Sequence, residues 1–150
     1  MKKLLTVALS AVIGATALTS CSKKSDSSPS YSMKTTIGKT SFSGTNCYAI
    51  LAGGALSISG WNGTSTVAVA PYLSLTIMSW NGGTGATSVD STMTAGAISW
   101  MPDASSVTGL YARSGTITIS SVSSSAISGS FSGTMSDGSQ VTGGTFTAKR

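Results

Sequence analysis

From Gly115 to Ala148 apolar or small residues alternate with serines and threonines, and the alternation passes through two turn signals without losing its period. A period of two is the spacing of a strand with one face buried and one wet, because successive side chains leave a strand on opposite sides. After residue 21 no window places apolar residues at helical spacing, the chain has no Glu, and its 18 glycines accompany many Ser, Thr and β-branched residues. These choices disfavour helix throughout. The chain beyond its N-terminal segment is therefore expected to be all-β and antiparallel.

The register of the last strands follows from their turns. A two-residue turn at Asp137-Gly138 pairs Ser136 with Ser139, which sets Phe131 opposite Gly144 and Gly129 opposite Phe146. Each ring then covers backbone that a glycine leaves bare. A three-residue loop at Ser123-Ser124-Ser125 places Ile119 opposite Gly129 and Ile117 opposite Phe131. The two turns agree on one dry face, made of Ile117, Ile119, Ile127, Phe131, Met135, Phe146 and Ala148. A slip of one residue would turn all of these outward.

Earlier strands are expected near Met33–Ile37, Ser41–Ser43, Asn46–Leu51, Ala55–Gly60, Tyr72–Trp80 and Ala97–Met101, each bounded by Gly, Asn or Pro. Thr84 to Ala95 is small, polar and irregular, and reads as a loop. About eight or nine short strands at this spacing fit an antiparallel β-sandwich or a partly open barrel. Ile58-Ser59-Gly60-Trp61-Asn62-Gly63 and Ile77-Met78-Ser79-Trp80-Asn81-Gly82 are similar segments, each a strand end, a Trp and a turn. Repeated hairpin chemistry explains the likeness.

Ahead of this domain lie a basic start, Lys2-Lys3, and an apolar run from Leu4 to Leu18 broken only by small or weakly polar residues. The pattern is that of a secretory signal, a helix-forming segment shorter than the roughly 18 to 20 apolar residues of a permanent span. Its end, Leu18-Thr19-Ser20-Cys21, resembles the bacterial lipobox. The resemblance implies that residues 1–20 are removed and that Cys21 becomes a lipidated N-terminus carrying diacylglycerol and usually a further acyl chain. Two or three chains make a stable anchor where one holds only marginally. Ser22 stands where an Asp would resemble an inner-membrane retention signal, so the outer membrane is expected, with periplasmic and cell-surface orientations both open. Lys23-Lys24-Ser25-Asp26 looks partly like a surface-export signal of Bacteroidota lipoproteins. Residues 21–32 then form the lipidated Cys and a flexible tether, and residues 33–150 a single domain.

The formal charge of +5 falls to +3 when Lys2 and Lys3 leave with the signal, and no basic stripe forms, so nucleic acid is not an expected partner. If Cys21 is lipidated, Cys47 has no partner within the chain. It is expected as a small buried hydrophobe, with an intermolecular disulfide as the alternative.

Histidine is absent, which removes the usual base for a Ser or Cys nucleophile and the commonest transition-metal ligand. The domain's carboxylates are Asp90, Asp103 and Asp137, and Asp137 belongs to its turn. Carboxylate catalysis would need Asp90 and Asp103 to face each other across a cleft. Gly38-Lys39-Thr40 lacks the upstream glycine and the helix of a phosphate-binding loop and reads as a tight turn. No metal site and no cofactor are expected. Trp61, Trp80 and Trp100, with Tyr48, Tyr72 and Tyr111, remain; Trp61 and Trp80 flank turns and are the candidate ligand-binding aromatics, suited to a glycan or a protein partner. Asp90-Ser91-Thr92 resembles the short motif that Bacteroidota glycosylate, which makes Ser91 a candidate O-glycosylation site.

Three further stretches carry a wider resemblance: Ile37-Gly38-Lys39-Thr40-Ser41-Phe42, Gly115-Thr116-Ile117-Thr118-Ile119, and the ending from Ile127 to Gly133 with Val141 to Phe146. Together they look like an uncharacterised family of Bacteroidota β-domain lipoproteins, which implies a compact β domain and carries over no functional residue. The expected function is a non-enzymatic envelope lipoprotein, joined to membrane lipid through Cys21, that presents a β domain for binding or structural interaction. The alternative is a small carbohydrate-binding or substrate-capturing lipoprotein using Trp61 and Trp80.

Overall fold

A computed structural model describes residues 30–106 and 109–150. The signal segment, Cys21 and most of the tether lie outside the described residues. The described residues are all-β, with ten strands: β1 (Ser32–Ile37), β2 (Thr40–Gly44), β3 (Asn46–Ala52), β4 (Ala55–Trp61), β5 (Tyr72–Ile77), β6 (Gly85–Asp90), β7 (Gly96–Met101), β8 (Leu110–Val122), β9 (Ala126–Met135) and β10 (Gln140–Lys149). Seven of them, β3-β4-β5-β7-β8-β9-β10, close into a barrel.

Two narrow corners complete the ring. At one, β10 meets β3 in parallel through Lys149 and Tyr48; at the other, β7 meets β8 through Ser99–Tyr111 and Trp100–Leu110. Each corner opens into a fork that an extra element fills. The β1–β2 hairpin pairs with β10 along Met33–Phe146 to Ile37–Val141 and touches β4, so Met33 and Phe42 enter the core. On the far side β6 pairs with β8 from Gly85–Ile119 to Asp90–Ser114 and touches β7. The strand β6 replaces part of the loop expected over 84–95. It was illegible in the sequence because Val89 is its one buried large residue; pairing with the free edge of β8, not its own pattern, makes it a strand. The count is therefore ten, and the last strand before it ends at Ile77 rather than Trp80.

The predicted pairs Phe131–Gly144, Gly129–Phe146, Ile119–Gly129 and Ile117–Phe131 all occur. Their turns differ from expectation, and in opposite senses. Met135 N–H donates to Ser139 O at 2.8 Å, so the β9–β10 loop has three residues, Ser136-Asp137-Gly138, and a bulge before Gly144, with Gly143 at φ +61°, restores the register. Ser123 N–H donates to Ala126 O at 2.8 Å, leaving a two-residue loop, and a bulge between Ile119 and Ser121 compensates. A bulge adds one residue to one strand, so it cancels a one-residue difference at a turn. Buried side chains on both partners select the compensated register.

Gly38-Lys39 is the tight turn expected, joining Ile37 to Thr40. The core runs through the ring, with Leu56, Ile58, Leu73, Leu75, Ile98, Ile117 and Ile127 buried, while Ser and Thr dominate the outer positions. A transmembrane barrel has the reverse pattern, apolar outside and polar within. No helix among the described residues is long and apolar enough to cross a membrane.

Candidate functional site

On the outer wall of the barrel, β3 and β4 form the floor of a groove and the ten-residue connection 62–71 forms its lip. Tyr48 and Ile50 project outward from β3, Ser57 and Ser59 from β4. Thr66, Val67 and Ala68 stand over them, and the groove encloses about 280 Å³. Trp61 closes its inner end. Outward positions on paired strands lie within reach of aromatic side chains along the diagonal, so Trp61 stacks on Tyr48, which pairs with Ser59. The ring centroids are 5.5 Å apart and the planes 21° from parallel.

The lip is tied down by hydrogen bonds. Trp61 Nε1–H donates to Ser65 O at 3.0 Å, Ser65 Oγ–H donates to Val67 O at 2.9 Å, and Thr45 N–H donates to Asn62 Oδ1 at 3.2 Å. Asn46 Nδ2–H donates to Gly63 O. Lys149 Nζ lies 5.9 Å from the Tyr48 ring centroid, which joins the groove to the parallel corner. The result is one exposed ring, aliphatic walls from Ile50 and Val67, and hydroxyls from Ser57, Ser59 and Thr66. Such a site can take a flat apolar face and bond to groups at its rim.

Trp61 and Trp80 do not form one platform. Trp61 is only 3 % exposed, so its ring supports Tyr48 and offers no stacking face of its own. Trp80 is half-buried at the other end of β4: its backbone N–H donates to Gly54 O at 2.9 Å, so roughly 20 Å of strand lies between the two residues. Their repeated segments do perform one structural task. As Trp61 Nε1 holds Ser65, Trp80 Nε1–H donates to Gly83 O at 2.9 Å. Trp100 is buried edge-on against Phe42. Of the six aromatics the sequence offers, turn-flanking position selects Trp61 and Trp80 and passes over Tyr48; alternation along Asn46–Leu51 places Tyr48 opposite Cys47, and that is the signal available for its outward face.

Ser91 is exposed in the turn after β6, beside Asp90, whose Oδ1 accepts from Thr92 N–H at 2.8 Å. Asp103 Oδ1 accepts from Ser105 N–H at 2.9 Å and its Oδ2 from Ser106 Oγ at 2.9 Å. Asp137 Oδ1 accepts from Ser139 Oγ at 2.7 Å and Ser139 N–H at 2.9 Å. The hydroxyls of Thr92 on Asp90, of Ser105 and then Ser106 on Asp103, and of Ser139 on Asp137, followed by the backbone N–H donors, hold all three carboxyls below their ordinary value. Each is thus an ionised turn former, the opposite of a carboxyl raised to act as a general acid. No group of three or more His, Cys, Asp or Glu able to hold a metal lies among the described residues. Cys47 is fully buried, and burial pushes its thiol up to about 12. The small-hydrophobe expectation holds, and a disulfide between chains would require the barrel to open.

Comparison of the chain with models of protein families, with curated proteins and with solved structures finds no match. The class is accordingly defined by fold and site: a closed, forked all-β barrel with an aromatic groove on its outer wall.

Proposed function

We propose that this chain is a non-enzymatic cell-envelope lipoprotein, anchored through Cys21 in the outer membrane on its periplasmic or surface side, which captures a partner in the Tyr48 groove. The observation that carries the binding role is the groove itself: an exposed ring braced from below by a buried indole, under a lip hydrogen-bonded in place. Rigid aromatic anchors lose little entropy on binding, which favours recognition at such a spot. The anchor role is supported by the lipobox pattern at residues 18–21. Its test is cell fractionation with protease shaving of wild type and Cys21→Ala. Release of the variant from the membrane is expected; identical fractionation of the two proteins refutes the anchor.

A second reading is glycan capture, favoured by the Ser57, Ser59 and Thr66 hydroxyls beside Tyr48. It shifts the stacking role from Trp61 and Trp80 to Tyr48. Oligosaccharide binding followed by tryptophan fluorescence should vanish in Tyr48→Ala and survive in Trp80→Ala. Binding that survives Tyr48→Ala sinks this reading.

A further inference from the structure

We infer that the end of the barrel from which the N-terminus leaves is a docking face for an anionic bilayer surface; this rests on the lipoprotein reading above. Five contacts gather that end. Tyr31 Oη–H donates to Ser125 O at 3.5 Å, placing the chain entrance beside the β8–β9 turn. Arg150 N–H donates to the same Ser125 O at 3.1 Å and its Nη1 to Ser123 O at 3.4 Å. The Arg150 guanidinium lies 5.8 Å from the Trp80 ring centroid, and Trp80 is bonded to Gly54 in the β3–β4 turn.

That turn is a protruding apolar tip. Ile50-Leu51-Ala52-Gly53-Gly54-Ala55 carries no polar side chain. Leu51 lies on the inward side of β3 yet is 53 % exposed, and Ile50 is 65 % exposed, so the hairpin extends past the end of the core. Gly53 and Gly54, at φ +57° and +82°, close it in two residues with both central positions left-handed. Met78 is exposed beside it.

Charge and reach name the occupant. Arg150 lies beside the tip through Trp80, and Lys149 behind it over Tyr48. Of the domain's carboxylates, Asp137 lies in the β9–β10 turn at the opposite end and Asp103 in the β7–β8 connection there, while Asp90 begins the β6–β7 turn whose Ala95 O accepts from Met78 N–H, so two cations face one carboxylate at this end. Apolar side chains ringed by Lys, Arg and an aromatic suit an interface of acyl chains and anionic head groups. Residues 22–30 separate Cys21 from the barrel, and a chain of that length spans at most about 30 Å. The tethered face therefore meets the bilayer at high effective concentration, and weak contacts suffice. Docked this way, the tip lies at the lipid and the upper groove near Trp61 faces away from it.

The test is amide hydrogen exchange on the mature protein purified from membranes, with its intact mass recorded first. Vesicles of phosphatidylethanolamine with phosphatidylglycerol should slow exchange in peptides covering Leu51–Leu56 and Met78–Gly82 at least fivefold, the factor that about one interfacial cation supplies. Vesicles of phosphatidylcholine alone should not, and the Asp137-Gly138 turn should exchange equally in both. Raising the salt concentration should remove the slowing in the wild type, and Leu51→Asp should abolish it without altering exchange elsewhere. Equal exchange at the tip in both vesicles overturns the inference, as does slowing in detergent that grows with protein concentration, which marks a second copy as the occupant. A mass without acyl chains refutes the anchor and, with it, the tethered docking; a mass with them beside equal exchange in both vesicles overturns the docking face alone.

Discussion

Gly129→Ala should test how closely β8, β9 and β10 are pressed together. A methyl on Gly129 would lie 2.0 Å from Thr118 O and 2.7 Å from Phe146 Cζ. The ring can shift, but the carbonyl belongs to the paired strand and moves only with the sheet. Overpacking of this kind costs about 1–3 kcal/mol, and the smaller entropy of an unfolded alanine returns about 0.4–1 kcal/mol. Because the worse clash is with backbone, the upper part of the range applies, and a net loss of about 2 kcal/mol is expected. At roughly 3–5 °C per kcal/mol for a domain of this size, Tm should fall by about 6–10 °C. Urea denaturation followed by circular dichroism measures the loss directly, with m unchanged. Adding Phe146→Leu should not rescue it, since that change removes only the ring contact. Ser130→Ala, on the exposed face one residue away, should stay within about 0.5 kcal/mol of wild type. A Gly129→Ala protein as stable as the Ser130→Ala control would refute the close approach of these strands.

Other outcomes follow from the same structure. Cys47 should resist alkylation in the native state and react once urea opens the barrel. Its folded-state pKa lies above its unfolded one, so its contribution is complete below the ordinary thiol value of 9.0 and is lost as pH rises toward about 12. The urea midpoint of wild type relative to Cys47→Ala should fall over that window. Asp137 behaves in the other direction: its pKa is depressed, so its contribution is present above the ordinary value of 3.8 and is lost as pH falls through the lowered one. The stability difference between wild type and Asp137→Asn should therefore shrink on acidification below that point. Trp61→Phe keeps a ring on Tyr48 but removes the donor to Ser65 O, at a cost of about 1 kcal/mol. Limited proteolysis should then cut within residues 62–71 faster than in wild type.

The periodicity of residues 115–148 determined by itself that this region is a meander with Ile117, Phe131 and Phe146 on one dry face. Alternation and burial are the same physical fact read at two scales, which is why the pairs survive two turns that the sequence misassigns by one residue. The spacing of turn signals likewise carried the all-β class and nine of the ten strands. Tertiary structure alone decided the rest. Closure depends on Lys149 meeting Tyr48 and Trp100 meeting Leu110, contacts between strands far apart in the chain that leave no local pattern. The strand β6 exists because β8 offers a free edge. The site also turned on tertiary contacts: two similar Trp-Asn-Gly segments read alike, yet one indole is buried beneath Tyr48 and the other is half-buried under Arg150, because the strand between them carries each to a different end of the barrel.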